Sequence, residues 1–525
     1  MWNSINRYYQ SHPLRSILLV GLLFRLLAVI FSKGYAFTDD HYFVIEEAQQ
    51  WIFQSNEPRS FFNPNIILEE RLSHGALYTS LHYVLFQIYR LIGFDDPMNI
   101  MLSVRFMHAL YSLWIVFLGY KIARHWGSPK TALQIAWILA LAWFMPFLSV
   151  RNLVEVVCIP PLMGATLLFL KNNKKAFFGA GLLAALAFSL RFQTVLFSGM
   201  FGLILLWQLR WRDAITLLLG FGTGSVVLLG GLDFLLFGTP FYELISYVAY
   251  NATHAGEYPN GPWYQYIGVI LGMFLIFPAA NWLMASALKF RTYAVLLFPT
   301  LVFLLFHSYF PNKQERFILP VIPFLIMAGA LAWNQYVEFK KSDKINRWNR
   351  FSMKFFWILN TPLLFGLSLA STRTAKMEAM YFLHQQRDAN HFAIESTHRD
   401  YMEFMPRFYG NFWSPYQHIL PNCEAPCFFD SVAHGVHPFP NYILFFDEDN
   451  LNERVAKVQT VVDIDYLETI ESSWLDQLIP KLNPIVKSQK IFVYKVKGIL
   501  EGRLPASSGT TSVKAATAAE TTESS

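Results

Sequence analysis

Apolar residues recur along this chain in runs of the length a helix needs to cross a bilayer, roughly 20 residues, and polar residues gather in the short gaps between them. The runs fall at 16–36, 100–120, 131–149, 153–170, 176–190, 192–209, 214–237, 263–285, 292–309, 317–337 and 352–370. They predict a polytopic α-helical membrane protein with about 11 transmembrane helices. A further segment, 76–92, is interrupted by His82, Gln87 and Arg90, and reads as a helix lying in the membrane interface rather than crossing. Beyond residue 371 the pattern changes. Phe392-Ala393-Ile394, Tyr442 to Phe446, Val461 to Ile464 and Lys490 to Tyr494 are short β-type runs, and Ser473 to Leu482 has helical amphipathic spacing. The division expected is a membrane module over 1–370 with an outer loop at 37–99, a C-terminal soluble α/β domain over 371–505, and a disordered tail over 506–525, rich in Ser, Thr and Ala.

Composition strengthens the membrane reading: 54% of residues are apolar and 15% charged. The net charge of +6 resides largely in breaks between spans: Lys121/Arg124/Lys130, Lys171/Lys174/Lys175, Arg210/Arg212, Lys289/Arg291 and Lys340 to Arg350. Basic loops accumulate on the cytoplasmic side, so this is a topology signal and no nucleic-acid partner is implied. With 76–92 not crossing, the loops 37–99, 238–262 and 310–316 and everything after 371 face the non-cytoplasmic side. The first apolar segment is long and lacks a small-residue cleavage site, so it is read as a retained helix. Cys158 reads as packing, and Cys423 and Cys427 as a pair able to form a disulfide outside the cytoplasm, a metal role being the weaker alternative. Asn251-Ala252-Thr253 is a glycosylation sequon in an expected outer loop.

Ionisable residues at the edges of the spans carry the candidate chemistry. Phe37-Thr38-Asp39-Asp40-His41 places two carboxylates just past the first span, where a charge is costly to hold beside lipid unless it is used. A carboxylate there can take the proton of a substrate hydroxyl. Pro311-Asn312-Lys313-Gln314-Glu315-Arg316-Phe317 runs into a helix with two cations at its start, an arrangement suited to an external phosphate, with snorkelling to head groups as the alternative. Arg151 and Glu155, four apart, read as a pair on one helix, whereas Arg191 has no acid near it in sequence and becomes a phosphate candidate. The aromatics of Tyr258 to Tyr266 read either as an interface belt or as a surface on which a sugar stacks.

These segments resemble motifs of the multispanning mannosyltransferases of the Alg9-like group, within the GT-C glycosyltransferases. Phe37 to Glu46 is similar to that group's His-Pro-Asp-Glu loop, Tyr258 to Tyr266 to its Tyr-Gly-x-x-Pro-Trp-x-Trp-Tyr segment, and Asn312 to Pro323 to its His-Lys-Glu-x-Arg-Phe-x-x-Pro-x-x-Pro segment. Thr38, Asp40 and Asn312 depart from the group's proline, glutamate and histidine. The resemblance implies a GT-C-like fold, a polyprenyl-phosphate sugar donor, usually mannose, and inverting transfer to a hydroxyl of a lipid-linked glycan or glycolipid on the non-cytoplasmic face.

On this reading Asp39 is the base and Asp40 orients the acceptor or shares the role, while Arg316, Lys313 and Arg191 hold the departing lipid phosphate. His41, Glu46, Arg71, His74, Gln193, Tyr258, Trp263, Tyr264 and Glu315 are assigned to substrate binding. No cofactor or metal is required, although a divalent ion at the acidic pair is left open. A protein O-mannosyltransferase or aminoarabinose-type transferase is the nearest alternative. A transporter is disfavoured because no internal repeat is evident, and a non-enzymatic assembly factor is the remaining reading. Of the compartments that fit, the bacterial inner membrane is favoured over the endoplasmic reticulum.

Overall fold

A computed structural model describes residues 2–54, 75–254, 256, 260–398, 402–410, 415–482 and 490–500. The tail expected to be disordered lies outside them, as do Arg71, His74 and Tyr258. The chain forms two compact units: Met1–Ser32, Phe43–Phe94 and Ile100–Ala370 make the first, and Lys33–Tyr42, Asp95–Asn99 and Ser371–Ser525 the second.

The first unit is helical. Among the described residues four helical stretches are long and apolar enough to cross a membrane: Pro13–Phe31, Pro97–Trp126, Trp211–Phe237 and Glu315–Lys340. Other apolar runs are broken. The 131–149 run forms helices Pro129–Leu141 and Met145–Ser149, and 153–170 forms Val154–Val157 and Ile159–Leu170. The expected single span at 263–285 is instead two helices, Gln265–Met273 and Phe277–Leu288, bent by 119°. Leu275 and Ile276 take positive φ at the break and Pro278 opens the second helix, so the hydrogen-bond ladder cannot run through.

The expected outer loop is largely helical where it is described. A turn of helix at Thr38–Asp40 leads into a π-helical turn, His41–Glu46, and helix Glu47–Gln54, followed after the undescribed stretch by helix Ala76–Leu91. Two buried carboxylates anchor helix starts in the first unit. Asp233 Oδ2 accepts the Glu243 N–H at 3.1 Å, and Glu243 accepts the N–H of Ala76. Each thereby satisfies an amide that a helix N-terminus leaves unpaired. The sequon Asn251 sits on helix Tyr242–His254, not in a loop, and its amide donates to Tyr247 O at 2.9 Å.

Helices Lys174–Leu190 and Trp211–Ser225 approach closely because glycines meet at their crossing. A side chain at Gly181 would run into the backbone at Leu217 and Phe221, and one at Gly220 into Phe178 O. Small residues let apolar helices gain backbone-to-backbone dispersion, the main attraction available where lipid is as apolar as the side chains.

Among the described residues the second unit has five strands: β1 Phe392–Glu395, β2 Tyr416–Ile419, β3 Tyr442–Phe446, β4 Val462–Ile470 and β5 Ile491–Ile499. Their order is β2-β1-β3-β5-β4. β1 pairs in parallel with β2 and β3, Ile394 lying opposite Leu444, while β5 runs antiparallel to β3 and β4. Every residue of β1 and β3 is buried, as expected of central strands covered on both faces. Helices Ala425–Ala433 and Leu451–Gln459 contribute Phe428, Phe429 and Val458 to the core around Ile443 and Phe445. Cys423 and Cys427 form a disulfide at the start of the first of these helices.

Candidate functional site

In the first unit three interruptions of helix bring three charges together. Arg151-Asn152-Leu153 is non-helical, Arg191 is extended between helix Lys174–Leu190 and the short 3-10 turn Phe192–Thr194, and Glu315–Val321 is 3-10 before helix Ile322–Lys340. Irregular backbone inside an apolar body persists only where protein surrounds it or it lines a cavity. At these breaks Glu155, Arg191 and Arg316 converge.

Glu155 is fully buried and Arg191 and Arg316 nearly so. Arg191 Nη1 donates to Glu155 Oε1 at 2.6 Å, and Arg316 Nε lies 3.8 Å from the same oxygen. This corrects two expectations. Arg151 lies before helix Val154–Val157 rather than on it, with its guanidinium stacked 4.6 Å from the Phe147 ring. Arg191 does have an acid beside it, from a segment 36 residues away. Phe317 lies under both cations, at 5.4 Å from Arg191 and 5.7 Å from Arg316. Gln314 Oε1 accepts from Arg316 Nε at 2.8 Å. Among the described residues, two cations thus meet at one oxygen of Glu155.

Around this centre, Gln193 donates to the Tyr247 hydroxyl, and His307 packs its ring 6.2 Å from Phe317. The His307 Nδ1–H is directed at Phe303 O, which leaves Nε2 as an acceptor. Sequence reading passed over His307 and Tyr247 and gave Glu155 a different partner. Glu155 was assigned to Arg151, and nothing local marks the other two. Lys313 is half-buried and donates to Phe310 O at 2.8 Å. Its segment is tied to the aromatic one by a bridge between Asn260 and Asn312. Trp263 and Tyr264 are exposed, at 69% and 56%, and Glu315 is exposed as well. Glu46 is buried at the end of the π-helical turn.

The acidic pair belongs to the second unit, where residues 33–42 fold with the chain after 371. Gly34 has φ +72° and bridges Thr372, whose carbonyl occupies the space a side chain would need. Thr372 Oγ1 donates to Tyr35 O at 2.8 Å, and the Arg373 guanidinium donates to Thr38 Oγ1 and lies 5.4 Å over the Tyr35 ring. His41 is packed as a core residue, stacked between Tyr35 at 4.8 Å and Tyr409 at 5.5 Å, and the Tyr42 hydroxyl donates to Phe404 O at 2.8 Å. Within this frame Asp40 is buried and Asp39 half-buried. In the same unit burial pushes the Glu378 carboxyl up, partly offset by Lys33. Among the described residues no group of three or more His, Cys, Asp and Glu side chains is gathered as metal ligands would be.

The model of the Alg9-like mannosyltransferase family matches residues 16–401, nearly three quarters of the chain. The chain belongs to the Alg9-like mannosyltransferase family. It is a multi-pass membrane glycosyltransferase. This Alg9-like protein shares its GT-C fold with ArnT from Cupriavidus metallidurans. The ArnT structure bound to undecaprenyl phosphate is 11% identical with a TM-score of 0.57, over 92% of this chain and 98% of that one. The apo ArnT structure is 12% identical with the same TM-score and coverage. No curated protein sequence matches the chain.

Proposed function

We propose that this Alg9-like enzyme transfers mannose from a polyprenyl-phosphate donor to a hydroxyl of a lipid-linked glycan or glycolipid, with inversion at the anomeric carbon. The observation that carries the proposal is the buried centre in which Arg191 and Arg316 meet at Glu155 Oε1. Two buried guanidiniums fixed side by side suit an oxygen on which negative charge grows as the glycosidic bond breaks. Lys313 adds a further cation from the same segment as Arg316. Family membership supports mannose, and a fold shared with a protein crystallised with undecaprenyl phosphate supports a lipid phosphate as leaving group.

Asp39 is assigned as the base. It takes the acceptor hydroxyl proton as that oxygen attacks the anomeric carbon, and the bond from that carbon to the phosphate oxygen breaks, releasing polyprenyl phosphate. Its greater exposure favours it over buried Asp40, which is left to orient. The scheme uses no metal. It puts the reaction on the non-cytoplasmic face of a membrane crossed about 11 times, the bacterial inner membrane on the sequence reading.

The test is transfer from radiolabelled polyprenyl-phosphate-mannose to a membrane lipid extract by purified protein, with Asp39→Asn alongside and both shown to be folded. Loss of a positioned base should lower the rate by about 10²–10⁴. Undiminished transfer by Asp39→Asn would move the base elsewhere. Absence of transfer by wild type with mannose, but transfer with another lipid-linked sugar, would overturn the donor assignment.

A further inference from the structure

A groove of about 620 Å³ lies in the first unit, sharing no residue with the charged centre described above. Its spine is one face of helix Pro129–Leu141: Leu133, Gln134, Trp137 and Leu141 lie three, four, seven and eleven residues after Lys130. Tyr9 and Trp357 complete the lining. From Lys130 to Leu141 the helix rises about 16 Å, and along that length the lining changes from charged, through amide and indole, to purely apolar.

The polar groups of the groove are all left as donors. The Tyr9 hydroxyl oxygen lies 3.3 Å from the Trp137 indole N–H and accepts from it, which leaves the hydroxyl hydrogen to donate. The Gln134 Oε1 accepts from the Asn334 amide at 2.9 Å, which leaves the Gln134 NH₂ to donate. Lys130 is exposed and has no acceptor function. Among the described residues no carboxylate lines the groove. Lys130 and Gln134, one helical turn apart at the cationic end, select a phosphate, with the Tyr9 hydroxyl further along at Trp137, and the apolar remainder selects something attached to it that avoids water.

We infer that this groove is a binding site for one anionic membrane glycerophospholipid, its phosphate held by Lys130 and Gln134, its ester region met by the Tyr9 hydroxyl, and an acyl chain laid along Leu133, Trp137, Leu141 and Trp357. A basic side chain at the head-group level attracts anionic lipid by about 1 kcal/mol, and the two neutral donors add selectivity by geometry. The site is independent of the transfer reaction, and its test uses no turnover.

Native mass spectrometry of the full chain, delipidated in detergent and titrated with dioleoylphosphatidylglycerol or dioleoylphosphatidylcholine, reads the site directly. Wild type should retain one phosphatidylglycerol with at least fivefold preference over phosphatidylcholine. Lys130→Gln should abolish that preference, and Leu133→Trp, which fills the groove and leaves the charge in place, should displace the lipid. Thermal unfolding of each variant checks that it is folded. Equal retention of the two lipids by wild type, or unchanged preference in Lys130→Gln, would overturn the assignment. So would displacement of bound phosphatidylglycerol by an equimolar polyprenyl phosphate, which would give the groove to that lipid.

Discussion

Replacing Glu155 with Gln keeps the shape of the side chain and removes its charge from beside the buried guanidiniums of Arg191 and Arg316. Glu155 Oε1 stands 2.6 Å from one and 3.8 Å from the other. At an effective dielectric constant of about 20 the gross attractions are roughly 6 and 4 kcal/mol. Much of that is offset by the cost of burying the ions, so the quantity to expect is the net penalty of breaking a buried pair, about 3–5 kcal/mol. Arg191→Gln should cost a comparable amount because it strands part of the carboxylate's charge. The double variant should then be less destabilised than the sum of the two, with a coupling of about 2–3 kcal/mol. Equilibrium unfolding of purified protein in mixed micelles, followed by tryptophan fluorescence, gives all four corners of the cycle. A coupling under about 0.5 kcal/mol would refute the claim that these charges hold one another in place.

Two further outcomes follow from the two units separately. In the sheet domain, burial first and the charge of Lys376 second push His418 down to about 4. The unfolded chain, with the ordinary histidine value of 6.5, therefore binds the proton first. This contribution is whole above pH 6.5 and is lost as pH falls toward 4, to a total of about 3 kcal/mol. Near-UV circular dichroism melts at pH 7 and pH 4.5 should show the loss, and His418→Phe should flatten it; equal pH dependence in the variant would contradict the assignment. In the helical unit, Gly220→Leu should force apart helices Lys174–Leu190 and Trp211–Ser225 at a cost of about 1–3 kcal/mol or more. A variant melting at the wild-type temperature would show that the crossing is looser than described.

What could be read from the sequence was whatever is local. β1 and β3 are continuous apolar runs because both of their faces are covered, and they stand where those runs are. β2, Tyr-Gln-His-Ile, was missed because it is an edge strand of mixed polarity whose register comes only from pairing with β1. The apolar runs of the membrane unit mark where helices lie but not where they break. The bend after Met273 depends on positive φ at Leu275 and Ile276, and a β-branched residue gives no local hint of that conformation. Arg316 and Arg191 could be singled out as charges in apolar surroundings. That they share Glu155 could not, because the partners come from three separate helix interruptions that only tertiary packing brings together.

The frame around Asp39 is assembled from chain that is made late. Thr38 is tied to Arg373 and Tyr42 to Phe404, partners 335 and 362 residues further on. At ordinary translation rates of roughly 5–20 residues per second, the segment bearing the proposed base waits on the order of 20–70 s for the residues that position it. During that interval the helical unit can already be inserting. The sugar-transfer motifs between residues 37 and 323 would thus be present before the acid among them is in working posture. With Asp39 as the proposed base, the acid gains its frame only once Arg373 and Phe404 have been made.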